Sequence, residues 1–207
     1  ETFNLFKKYQ NKYSNFRVID ANYEFNYSKI NNQAVKEAKG EYIVLLNNDT
    51  EIITPHWLQI MVGYAMQPHI GAVGTKLLYP DNTVQHAGII LGIGGIAQHC
   101  FIDNPRDDVG FYGRLSVPFN YSAVTAACLM VSKEKYLEVN GLEEDLQVAF
   151  NDVDFNLKLL KQGYYNICLN HVELYHHESK SRGDDTVDTS SAKYRRFVQE
   201  HDYIKDK

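Results

Sequence analysis

Tyr42-Ile43-Val44-Leu45-Leu46 is an unbroken apolar run that stops abruptly at Asn47-Asn48-Asp49-Thr50. A strand with one wet face alternates apolar and polar residues, so a continuous run describes a strand covered on both faces. A chain built around such a strand needs packed layers above and below one sheet. The sudden change to amides and a carboxylate marks the carboxyl end of the strand, where open α/β sheets place their ligands.

The rest of the chain supplies the layers. Phe3, Phe6, Tyr9 and Tyr13 repeat at helical spacing, which predicts a helix over about 2–13 whose aromatic stripe would be covered by the sheet. Residues 16–20 read as a short strand. Ser28 can cap a helix carrying Ile30, Ala34, Val35 and Ala38 and stopping at Gly40. Further helices are expected over 56–66 and 151–162, and strands over 71–78, 124–131, 165–169 and 172–175. Residues 80–120 are irregular apart from the apolar 88–93, residues 176–188 form a polar loop, and a closing helix runs over 189–207. Strand–helix alternation in the first half and a mixed second half predict an α/β sandwich around one sheet.

Length and composition agree with one ordinary globular domain: 207 residues, 44% hydrophobic and 23% charged. A net charge of −5 argues against a nucleic-acid surface, which would be basic. Contacts with phosphate would then come from a few placed groups or a metal ion. Cys100, Cys128 and Cys168 show no C-x-x-C spacing, and two of them sit in apolar runs, which suits free buried thiols in a reducing compartment. No stretch has the apolar length of a membrane-spanning helix, and no signal peptide is evident.

Three constellations can carry chemistry, and each also has a purely structural use. Asn47-Asn48-Asp49 is good turn chemistry, but a carboxylate beside amide oxygens also holds a hard divalent cation. In Phe150-Asn151-Asp152-Val153-Asp154, Asn151 can be a helix cap with acidic residues in the first turn. Alternatively, Asp152 faces a cleft as a general base. In His176-His177-Glu178 a strand runs into a polar loop. Either a surface pair of imidazoles or a metal ligand completing the Asp49 site fits, and mixed carboxylate and imidazole ligation suits Mn²⁺.

Order and surroundings add what the separate motifs lack. Asn32-Gln33-Ala34, Ala38-Lys39-Gly40-Glu41-Tyr42-Ile43 and Leu46-Asn47-Asn48-Asp49 together resemble family 2 glycosyltransferases of the GT-A fold. Gly71-Ala72-Val73-Gly74, Leu77-Leu78-Tyr79-Pro80-Asp81 and Gln85-His86-Ala87-Gly88 resemble the subgroup that builds O-antigens and related surface glycans. Ala126-Ala127-Cys128-Leu129-Met130-Val131, the Asn151-Asp152 segment and the residues from His176 to Gly183 extend the resemblance across roughly 20–185.

The resemblance implies a GT-A-type mixed, mostly parallel sheet flanked by helices as a three-layer sandwich. It implies one catalytic domain over 1–207, partial at its N-terminus and lacking the first strand–helix–strand unit. That unit would carry much of the nucleobase pocket, so this stretch by itself is expected to be a poor catalyst. Asp49 matches the second Asp of the family's metal motif, and Asn47, with Asn48 beside it, stands on the nucleotide side where the first Asp is usual. His176 or His177 would complete the site for Mn²⁺ or Mg²⁺. Ser181 and Arg182 fall in a loop that closes over the donor diphosphate, and Asp152 matches the base.

The implied reaction is inverting transfer from a nucleoside-diphosphate sugar to a hydroxyl of a glycan or lipid-linked acceptor. The setting would be cytoplasmic, at the inner face of the membrane, with peripheral membrane association of the full-length protein and no nucleic-acid partner. A non-catalytic nucleotide- or glycan-binding module and a metal-dependent phosphohydrolase are the other classes compatible with these residues.

Overall fold

The computed structural model describes residues 2–93, 95–177 and 189–207. In chain order the first half holds α1 (Thr2–Lys12), α2 (Tyr27–Glu37), β1 (Tyr42–Leu46), β2 (Thr50–Ile52), α3 (Trp57–Ala65) and β3 (Ile70–Leu78). Short strands follow: β4 (Val84–His86), β5 (Ile89–Leu91), β6 (Ala97–His99) and β7 (Pro118–Tyr121). The chain then runs through β8 (Cys128–Ser132), α4 (Lys133–Glu138), α5 (Asn151–Lys161), β9 (Tyr165–His176) and α6 (Ala192–Asp206).

The main sheet runs β1-β8-β3-β9-β2, with β4 paired to β3 and β7 to β9; β5 and β6 form a separate hairpin. The sheet is mixed, as expected, but β3 with β9 is its parallel pair among the described residues, and the other pairings are antiparallel. The balance tips because β8 inserts between β1 and β3, antiparallel to both. Even so, β1, β3 and β9 point the same way, so their carboxyl ends lie at one end of the sheet. Parallel pairing requires a long crossover, and the stretch between β3 and β9 supplies it with α4 and α5.

Period-two side-chain alternation sends each central strand into two cores. Ala72, Leu129, Val131 and Cys168 pack with Val35 of α2, Tyr136 of α4, and Phe155 and Leu159 of α5. Val73, Cys128, Met130, Ile167 and Leu169 pack on the other face with Trp57, Met61 and Ala65 of α3. The result is three layers. It explains the apolar run of β3, buried at every position. β1 stands at the end of the strand order with Ile43 and Leu45 buried and Leu46 exposed, so its run is covered less fully than expected. All three cysteines are free and buried.

Several local expectations change. Residues 16–20 form no strand, and no residue of α1 is buried. Its aromatic stripe packs on itself and on Phe16 in place of the sheet. The cap of α2 is Asn26, whose side chain accepts from Lys29 N, while the Ser28 hydroxyl donates to Leu146 O inside the fold. The two strands expected over 165–175 are one strand, with a register irregularity opposite Thr75 and Lys76. Residues 124–127 are not part of β8. The Asn156 side chain binds both backbone groups of Val124, and a side chain at Gly74 would collide with Val124, so that bare glycine lets the segment lie directly on β3.

Candidate active site

The polar end of β1 is folded back against the end of β9. Asn47 N–H donates to Ala127 O at 2.9 Å, and the Thr50 hydroxyl donates to Asn47 O at 2.9 Å. The short β2 then pairs with β9, with Thr50 opposite His176, and His177 N–H donates to Asp49 O at 2.9 Å. Asn47-Asn48-Asp49 therefore does serve as a turn, and the turn delivers the Asp49 side chain to the last residue of β9. Asn48 points into solvent.

His176 Nε2 lies 3.2 Å from Asp49 Oδ1 and 3.2 Å from Asn47 Nδ2. On the other side of the ring, Nδ1 lies 2.8 Å from Gln85 Oε1. An amide oxygen only accepts, so this contact calls for a proton on Nδ1; in the neutral ring Nε2 is then an acceptor, turned towards Asn47 Nδ2 and the Asp49 carboxylate. Consistently, Asp49 Oδ1 is buried without a hydrogen bond from any described residue, although His176 Nε2 is close. Two electron-rich atoms held together in this way suit a shared cation between them, and the carboxylate–imidazole donor set fits Mn²⁺. His177 takes a different direction, with its ring 3.4 Å from Glu51 Oε2. Among the described residues no cluster of three or more side-chain ligands exists, so a cation here would complete its shell from a bound ligand or water. Ser181 and Arg182 lie outside the described residues.

Asp152 sits in the first turn of α5. The cap expected at Asn151 is instead Phe150, in the left-handed region with φ 60°, while the Asn151 side chain donates back to Val148 O. That tight entry leaves Asp152 half-buried, beside Ala126. Its Oδ1 accepts from Val153 N–H at 2.8 Å and its Oδ2 from Ala126 N–H at 3.2 Å. Ala126 and Ala127 thus tie the base candidate and the Asn47–Asp49 turn to two consecutive residues. Tyr27 lies alongside, donating to Ala126 O at 2.9 Å; burial first, and then the Asp152 carboxylate, push its phenol well above the usual tyrosine range.

His86 closes the back of the site. Its Nε2 accepts from Gly88 N–H and Thr125 N–H at 3.3 and 3.4 Å, and its ring meets His99 edge-on at 4.7 Å. Burial, then His99 and His176, hold its pKa well below the ordinary histidine value, so it is a neutral structural acceptor. A cavity of about 380 Å³ lined by Ile90, His99, Phe101, Arg114 and Tyr121 lies next to this histidine cluster and contains none of Asp49, Asp152 and His176. Gln85 had no role in the sequence reading, because nothing in a Gln-His pair tells which neighbour each side chain meets. Its one signal was its place in the Gln85-His86-Ala87-Gly88 motif.

Comparison with known proteins now bears on this geometry. The model of the family described as glycosyl transferase family 2 matches residues 1–127. A protein of Sinorhizobium fredii, y4gI, described as uncharacterized, is 46% identical over 190 residues, covering 91% of this chain and 21% of its own length. The chain belongs to glycosyl transferase family 2. The O-antigen biosynthesis protein RfbC of Myxococcus xanthus is 42% identical over 170 residues, covering 79% of this chain and 13% of RfbC. The chain therefore spans about a fifth or less of the length of these relatives.

Solved structures agree on the architecture. GalNAc-T7 with UDP, GalNAc and Mn²⁺ superposes with a TM-score of 0.70 at 12% identity, over 98% of this chain and 38% of that one. The mannosyltransferase PcManGT of Pyrobaculum calidifontis, with GDP-Man and Mn²⁺, gives 0.64 at 16% identity, over 100% of this chain and 52% of that one. At such identities the likeness speaks for the fold alone, which is GT-A.

Proposed function

We propose that this chain carries the transfer site of an inverting, cation-dependent glycosyltransferase in surface polysaccharide synthesis. Its donor would be a nucleoside-diphosphate sugar and its acceptor a hydroxyl of a glycan or lipid-linked saccharide. The observation that carries the reading is the tie between Ala126-Ala127 and both halves of the site, which puts the Asp152 carboxylate and the Asp49–His176 pair at one end of the sheet. The kinship with RfbC supports the pathway class, and the solved neighbours hold UDP or GDP-Man together with Mn²⁺.

Asp49 and His176 would hold the divalent cation, which when bound supplies Lewis-acid stabilisation for a diphosphate leaving group. Asn47, one charge short of the family's usual Asp, leaves an amide able to hydrogen-bond a ribose hydroxyl. Asp152 is fixed by two backbone N–H groups, which hold its carboxylate in one orientation. It takes the acceptor hydroxyl proton as that oxygen bonds to the anomeric carbon and the bond to the diphosphate oxygen breaks. One displacement from the opposite face inverts the centre and needs no covalent enzyme intermediate. Ser181 and Arg182 are assigned to the donor diphosphate; of the two histidines His176 is the cation ligand in this reading, because the ring of His177, the alternate, turns towards Glu51. No described helix is long and apolar enough to cross a membrane, and we place the reaction at the cytoplasmic membrane face, where such donors and lipid-linked acceptors meet.

The test is Asp152→Asn in the intact protein. Transfer should fall by about 10²–10⁴-fold with donor affinity nearly unchanged, because a base acts in the chemical step and not in ground-state binding. Near-normal turnover would reduce Asp152 to a helix-start residue. Nucleotide binding with no turnover in the unaltered protein would make the chain a binding module.

A further inference from the structure

Gln85 takes no part in the transfer step, yet it is one of the few polar side chains enclosed in the fold, at 3% exposure. It is held from both directions. Its strand, β4, is buried at each residue and flanked in the ladder by Leu77↔His86 and Leu78↔Val84. Its own carbonyl meets His99 Nδ1 at 3.1 Å, and its side-chain oxygen meets His176 Nδ1 at 2.8 Å. A neutral imidazole has one N–H, and it can sit on either nitrogen. With the proton on Nε2, His176 would point a hydrogen towards Asp49 and could bind no cation there. With the proton on Nδ1 of the neutral ring, as the Gln85 oxygen favours, Nε2 is an acceptor that meets Asn47 Nδ2 at 3.2 Å and can turn its lone pair to a cation on the Asp49 side.

We propose that Gln85 is a positioning residue that sets the tautomer and ring orientation of His176, so that Nε2 is available to a divalent cation beside Asp49. The inference rests on the reading of Asp49 and His176 as cation ligands. A histidine that binds a metal through one nitrogen generally donates its other N–H to such a partner, and loss of that partner costs roughly 10–100-fold in metal affinity. Gln85 differs from the more usual carboxylate partner in adding no charge, which suits a site already occupied by Asp49 and an anionic donor.

The experiment uses the full chain, with Mn²⁺ alone as the probe. Nitrogen-15 spectra of the histidine rings in the metal-free protein report the tautomer directly, with His176 assigned by comparison with His176→Ala. The expected spectrum shows Nδ1 protonated and Nε2 bare; an Nε2–H tautomer overturns the proposal whatever the cation does. Mn²⁺ affinity, read by electron paramagnetic resonance, should drop about 10–100-fold in Gln85→Leu and be retained in Gln85→Glu, whose carboxylate also accepts from Nδ1. If Gln85→Leu does not fold, the tautomer spectrum and the Gln85→Glu titration still decide. Loss of affinity in His176→Ala but not in Gln85→Leu would sink the role of Gln85 alone. Unchanged affinity in His176→Ala would sink the cation site itself, separately from the tautomer result.

Discussion

The two terminal helices, α1 and α6, are both amphipathic, and the fold treats them in opposite ways. α1 buries nothing, and Phe3 is 79% exposed. α6 buries Glu200 and Ile204, packs Phe197 against Phe150 with ring centres 5.6 Å apart, and reaches Glu143 and Asp154 through Lys207 at 2.9 and 2.8 Å. Aromatic content does not separate them, because each carries three rings: Phe3, Phe6 and Tyr9 in α1, and Tyr194, Phe197 and Tyr203 in α6. The difference is a polar requirement. The left-handed turn at Phe150 leaves Val148 and Ala149 N–H without helix partners, and the Glu200 carboxylate accepts both, at 3.0 and 2.7 Å. A buried N–H has to be satisfied, and that need fixes where a helix docks more sharply than an apolar face does. The groups that α6 satisfies lie just before Asp152, so the docked helix also stiffens the entry to the site.

The largest effect is therefore expected from Glu200→Ala. Two N–H groups lose a charged acceptor, which should cost about 3 kcal/mol, at 1.5–3 kcal/mol for each hydrogen bond to a charged group less what water recovers. For a chain of this size that is a fall in Tm of roughly 6–12 °C. Turnover should fall as well, because the loop leading to Asp152 loosens, and Glu200→Gln, which keeps one acceptor oxygen, should lie between. Thermal unfolding of the three proteins checks it, and a Tm within about 1 °C of the parent would show that α6 only rests on the surface.

The same contrast explains what was readable in the sequence. β1, whose burial alternates and ends on the exposed Leu46, still showed as a strand, and β3 and α5 were legible because burial on both faces, or on a helical stripe, leaves a pattern in consecutive residues. So was the convergence of Asp49 and His176 as an expectation, since each stood where an apolar run turned polar. What failed to show depends on partners far along the chain. Thr50–Ile52 becomes a strand only because β9 is there to pair with it. Asn151 looked like a cap, and the backbone gave that place to Phe150. Gln85 and Glu200 carry no local signal, because their meaning lies in residues 91 and 52 positions away in sequence. The stripe of α1 demanded a cover that the sheet does not provide.

A smaller effect separates the helices by pH. The hydrogen bond from Lys207 is the first cause holding the Glu143 carboxyl below the ordinary glutamate value, with burial opposing it. A carboxyl depressed in the folded state contributes stability that is complete above its unfolded pKa, about 4.3, and is lost as pH falls through the lower folded value. Amide exchange in the last turn of α6 should thus be unchanged between pH 7 and 5 and quicken below about pH 4.3, after correction for intrinsic rates. Because Glu143 is partly open to solvent, the change should be modest and weakened further by salt. Glu143→Gln should remove it. Acid loosening that persists in that variant would assign the tether to another carboxylate.

The smallest effect should come from removing α1. An 11-residue helix is marginal in water by itself, and tertiary burial is what usually rescues one. Here the aromatic rings meet each other: Phe3 with Phe6, Tyr9 with Tyr13, and both Phe6 and Tyr9 with Phe16. Such a local cluster shields some apolar area but ties the helix to nothing in either core. The link to the body downstream runs through Arg17, whose guanidinium donates to Glu37 O from an exposed position, a contact type that contributes little. Deleting residues 1–12 should accordingly shift Tm by less than about 1 °C, within the range of surface changes. Amides of α1 in the parent should exchange at nearly unstructured rates while those of β3 stay protected. A drop of several degrees on deletion, or slow exchange in α1, would mean that this helix is docked after all. The contrast with α6 would then rest on Glu200 alone.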